Sequence, residues 1–140
     1  MRKMSRRQFV PVLGACALAF ALPAELRPSP RRHRSGVHPT PRAGISAAKV
    51  ATLTQLKDRP KAVSAFEQVR EIPAIVDGIR CQCGCSDGKV YYSLLSCFET
   101  PDMMAAECEI CQAEARLAYR LHKAGKTLDE IRKGIDAKFG

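Results

Sequence analysis

A small, mainly α-helical domain with a cysteine-rich loop between helices is what this sequence predicts, and three observations carry that expectation. Apolar residues recur at three- and four-residue spacing through the body of the chain, helix-start and helix-stop residues flank those stretches, and residues of strand propensity are too few to build a sheet. The chain has 140 residues, 46% of them hydrophobic, which suffices for one ordinary core without help from cysteines.

The elements follow in order. Ser46 is placed to cap a helix running toward Leu56, with Val50, Leu53 and Leu56 on one side. Pro60 suits a first helical position, and Val63, Phe66 and Val69 then recur at helical spacing. Pro73 opens a short turn that Gly78 can end. The cysteine loop comes next, followed by SDGKVYY, whose Asp-Gly pair predicts a loop or a single hairpin. Thr100-Pro101-Asp102 reads as the start of a long helix that continues to Ala124, with Gly125 as its stop. Thr127 and Glu130 form a capping box for a last helix, on which Leu128, Ile131, Ile135 and Phe139 share a face.

Three segments divide the chain. Residues 1–24, MRKMSRRQFVPVLGACALAFALPA, join basic residues to an apolar run and small residues suited to signal peptidase, which is an export signal and not part of the fold. Ser5-Arg6-Arg7-Gln8-Phe9-Val10 resembles the twin-arginine motif, so the expected partners are the Tat translocon and signal peptidase, and the expected location is periplasmic or otherwise extracytoplasmic. The membrane is engaged only through this signal, or through a lipid on Cys16 if Leu13-Gly14-Ala15-Cys16 acts as a lipobox. Residues 25–42, ELRPSPRRHRSGVHPTPR, carry four prolines and five arginines with almost nothing apolar; they read as a basic linker in which His33 and His38 are solvated. Residues 43–140 are the cysteine-rich helical domain. The net charge of +9 suggests a nucleic-acid protein until it is located: +8 lies in residues 1–42, and the body, at +1, offers no basic face for phosphates.

Six of the seven cysteines lie between residues 81 and 111. Cys81, Cys83 and Cys85 form CQCGC, Cys97 stands alone, and Cys108 and Cys111 form a CxxC. In an extended chain the three loop thiols share a face, and Gly84 permits a curled loop that also brings them together. On a helix Cys108 and Cys111 share a face as well. Three kinds of chemistry suit this pattern. Three disulfides can staple loop to helix in an oxidising compartment. Clustered thiolates, with Met103 and Met104 as thioether candidates, can hold a soft ion, Cu(I) or zinc, through Cys81, Cys83, Cys85, Cys97, Cys108 and Cys111. Thiol redox chemistry can run on Cys81, Cys83 and Cys85 as reactive residues, with Arg80 as a cation able to favour a thiolate. His122 falls about three turns beyond Cys111 on a helix, too far to share an ion with it.

IPAIVDGIRCQCGC, SLLSCF and CEICQAEARLAYRLHKAGKTLDEIRKGID together resemble the bacterial PCYCGC-motif family, also called CYCXC (seleno)proteins, from about His38 to the C-terminus. Members of that family read Tyr where this chain has Gln82, and often His where it has Tyr92. The selenocysteine of some relatives in the CxC region implies a reactive thiol or a soft ligand in place of an inert staple. The expectation drawn from residues and resemblance together is an exported soft-metal thiolate protein, with an extracytoplasmic thiol redox protein and a disulfide-stapled interaction domain as alternatives.

Overall fold

A computed structural model describes residues 36–85 and 91–140. The signal segment, Cys16, the first part of the linker with His33, and the Asp87-Gly88 turn lie outside the described residues. The domain is mainly α, as expected, with the cysteine loop between helices: α1 Pro60–Glu71, α2 Pro73–Asp77, α3 Glu109–Lys123 and α4 Leu128–Phe139. No described helix is long and apolar enough to cross a membrane.

Helix α3 lies at the centre and packs on α1 to one side and α4 to the other. Its buried face runs through Cys111, Glu114, Ala115 and Ala118, a spacing of three and four that keeps one stripe inward, and the two alanines let its neighbours approach closely. Helix α1 starts on Pro60, which lacks an N–H that the first turn cannot use anyway, and buries Ala62, Ala65, Phe66 and Val69. Phe66 meets Phe98 edge-on at a ring separation of 4.7 Å. Helix α4 is opened by the Thr127–Glu130 capping box and buries Ile131 and Ile135. Gly125, at φ +78°, supplies the left-handed turn between α3 and α4. Leu56, Phe66, Ile79, Leu94, Leu95, Phe98, Ile131 and Ile135 are all fully enclosed. Each contributes about 1.5–3 kcal/mol, so the core stands on apolar burial and leaves the thiols available for chemistry.

Three segments differ from expectation. Ser46 does cap, accepting from the Ala48 N–H, but the result is only a 3-10 turn over Ala47–Lys49. The chain beyond it is held extended: Val50 pairs with Glu99, the Ala51 N–H donates to the Phe98 carbonyl at 3.1 Å, and the Arg70 guanidinium donates to the carbonyls of Val50 and Ala51. The backbone groups of Val50 and Ala51 that a helix toward Leu56 would use are therefore committed elsewhere, and residues 53–58 form only a turn. The long helix expected from Thr100 begins only at Glu109. The Thr100 N–H donates to Lys49, and Met103 takes a left-handed conformation, φ 45°, that a right-handed helix cannot continue through. Cys108 is consequently the N-cap of α3, in extended backbone, with Cys111 in the first turn.

The third difference is at the N-terminal side. Residues 36–42 belong to the folded body. His38 Nδ1 accepts the Arg80 N–H at 3.0 Å, which leaves Nε2 to donate to the Asp136 carboxylate at 3.1 Å. Tyr92 donates to the Thr40 carbonyl, Arg132 to that of Pro39, and Arg42 forms a close pair with the enclosed Asp77. The solvated His38 expected in a linker is instead a half-buried fastener, because its ring finds a donor and an acceptor at once.

Candidate metal centre

Three stretches of chain converge on one place. The 81–85 loop curls through Gly84, whose φ of +96° favours glycine over any residue with a side chain. Cys97 comes from a 3-10 turn, Leu95–Phe98, whose Leu94 N–H is held by the Ile79 carbonyl at 2.8 Å. Cys108 and Cys111 come from the start of α3. Burial of Leu94, Leu95 and Phe98 beside Cys97 fixes that turn against the core, and the enclosed stripe of α3 fixes Cys111.

The sulfurs form a continuous set of contacts. Cys81 Sγ lies 3.2 Å from Cys83 and 3.3 Å from Cys111; Cys83 lies 3.1 Å from Cys85 and 3.6 Å from Cys111; Cys85 lies 3.2 Å from Cys97. Cys81, Cys85, Cys97 and Cys111 all fall within 4.8 Å of one another, and so do Cys83, Cys108 and Cys111. The cluster is close enough to hold a metal ion. All six sequence-predicted thiols are thus brought together. Cys81, Cys97 and Cys111 are buried, while Cys83, Cys85 and Cys108 are half-buried on the outer side.

Electrostatics within the cluster are set mainly by the thiols themselves. Hydrogen bonding to Cys81, then to Cys83, pushes Cys111 far above the ordinary thiol range. Cys111 and then Cys81 draw Cys83 down to about 6, and the same two neighbours draw Cys85 down as well. Cys111 favours ionisation of Cys81, but Cys83, Cys85 and Cys97 outweigh it and hold Cys81 up. Touching thiols cannot all ionise together unless a cation neutralises them. A soft cation supplies that charge and is also the natural ligand of thiolate.

Three residues that hold the cluster's loop, Glu114, Gln82 and Asp136, were not singled out by sequence reasoning as site residues. Glu114 is completely enclosed, and burial pushes its carboxyl up to about 8, against the opposing hydrogen bond from the Gln82 N–H at 2.8 Å. It is therefore mostly a neutral group at pH 7 that fastens the cysteine loop to α3. Its helical position, three residues beyond Cys111, was the available signal. Gln82 also donates through Nε2 to Asp136 at 2.7 Å, and Asp136 in turn receives His38. The loop is held from α3 by Glu114 and from α4 by Asp136. Tyr92 turns toward Thr40, with Arg42 stacked over its ring at 4.9 Å. His122 sits in the last turn of α3, and Met103 packs on the core beside the turn that precedes this helix. The Arg80 guanidinium lies in the space that a side chain at Gly36 would take.

No protein-family model matches this chain, and neither curated proteins nor solved structures give a significant match.

Proposed function

We propose that this is an exported soft-metal protein that holds Cu(I) or Zn²⁺ through the clustered thiolates of Cys81, Cys83, Cys85, Cys97, Cys108 and Cys111. The observation that carries the reading is the convergence of thiols from three separated stretches into one connected set, where disulfide staples would need only three separate pairs. Supporting it, the donor set is all sulfur, which suits soft ions, and its buried members are shielded from water. Binding displaces thiol protons, so affinity falls as pH falls.

The test is intact mass together with metal analysis of protein purified from the cell envelope without reductant. Bound copper or zinc is expected, and Cys81→Ser, Cys83→Ser and Cys85→Ser should each weaken binding while helix content stays near that of the parent. Three reduction-resistant disulfides with no metal would overturn the reading.

A second reading rests on Cys83 and Cys85. Both sulfurs are half-buried and both are drawn down by Cys111 and Cys81, which suits an extracytoplasmic thiol redox protein. Export itself is proposed from the leader alone, through the Tat translocon and signal peptidase. Replacing both Arg6 and Arg7 with lysine is expected to leave uncleaved precursor in the cytoplasm, and normal export of that variant would remove the twin-arginine route.

A further inference from the structure

We propose that the site takes a polynuclear Cu(I)–thiolate cluster in which the Cys111 thiolate bridges neighbouring copper ions; this rests on the soft-metal reading above. The sulfurs fall into two overlapping ligand sets, four around Cys81, Cys85, Cys97 and Cys111 and three around Cys83, Cys108 and Cys111, with Cys111 in both. One ion binds at most four thiolates, so a single-ion site leaves two converging thiols without a purpose. Cys83 nevertheless touches Cys81, Cys85 and Cys111, which makes the two sets continuous.

The same count separates copper from zinc. Two four-coordinate zinc ions served by six thiolates need two shared sulfurs, and the two sets share one. A three-sulfur set instead suits Cu(I), which accepts low coordination and soft donors. Charge separately favours more than one ion: thiolates left over from a single-ion site would carry uncompensated negative charge beside an apolar core, and each further cation removes part of it. Each thiol that becomes a ligand gives its proton to solvent, and copper enters and stays as Cu(I), so no electron is transferred.

The experiment is anaerobic titration of the reduced, full mature chain with Cu(I) against a competing chelator. Native mass spectrometry reads the copper count, and X-ray absorption reads copper–copper scattering. Two or more Cu(I) per chain with a short copper–copper vector are expected, one for each ligand set at the least. Cys108→Ser is the clean variant, because Cys108 is the N-cap of α3 and serine is a preferred N-cap residue. It should lose one copper while the metal-free melting temperature stays level or rises. Cys111→Ser should lose the copper–copper vector altogether; should that buried substitution unfold the chain, the parent and Cys108→Ser still decide. Saturation at a single ion, or an unchanged copper count in Cys108→Ser, overturns the cluster and leaves soft-metal binding standing. Failure to bind either Cu(I) or Zn²⁺ overturns both.

Discussion

Loading the reduced protein with a soft ion at about a thousandfold excess over its Kd is expected to raise the unfolding free energy by up to about 4 kcal/mol. For a domain of this size that corresponds to roughly 15 °C or more in melting temperature. The effect is large because Cys97 and the Cys108–Cys111 pair meet the loop only in the folded chain, so the complete ligand set exists only there. It falls short of the upper figure to the extent that Cys81, Cys83 and Cys85, adjacent in sequence, bind the ion even when unfolded. Thermal unfolding of stripped and metal-loaded protein checks this. A melting temperature unmoved by saturating Cu(I) and Zn²⁺ would show that the folded site binds neither.

Asp77→Ala is expected to cost about 3 kcal/mol, the second large effect. The Asp77 carboxylate is fully enclosed and receives the Arg42 backbone N–H at 2.8 Å, the Arg42 guanidinium at 2.7 Å and the Ser93 hydroxyl at 2.7 Å. Removing it leaves the buried Ser93 hydroxyl and the Arg42 amide without their acceptor. Arg42 is 39% exposed and can turn to solvent, which keeps the loss near the low end for a broken buried pair. Burial works against the charged form, but the bonds from Arg42 and Ser93 win and hold the carboxyl below its usual range. A depressed folded value stabilises the protein above the unfolded value of about 3.9, and that contribution disappears as pH falls through the folded value. Denaturant unfolding across acidic pH should therefore show a decline in the parent that is shallower in Asp77→Asn. Identical acid limbs would remove Asp77 from the account.

What was legible in the sequence was local. Pro60, the Thr127–Glu130 box and Gly125 mark helix ends through contacts within one turn, and the structure uses all of them. The bunching of the cysteines was equally plain, because the 81–85 loop needs only Gly84 to curl. What escaped depended on partners far along the chain. Val50 and Leu56 are buried as a helix there would have them, yet Leu53 is 57% exposed, because Phe98, Glu99 and Arg70 claim that backbone. Glu114 looks like an ordinary polar helix residue until the loop above it supplies the Gln82 N–H. His38 reads as part of a basic tail because Arg80 and Asp136 are 42 and 98 residues away.

Asp136 has a bearing on when this protein can be finished. It lies in α4, near the end of the chain, and joins His38 across a separation of 98 residues and Gln82 across 54. A growing chain makes α1 and the apolar turn around Phe98 first, but the ligand loop waits for partners that follow it. Glu114 arrives with α3, and Asp136 only with α4. The thiol cradle is therefore not fastened until α4 has been made, and an ion captured earlier would sit on an unfastened loop. Folding of α4 thus sets the earliest moment at which the site is complete.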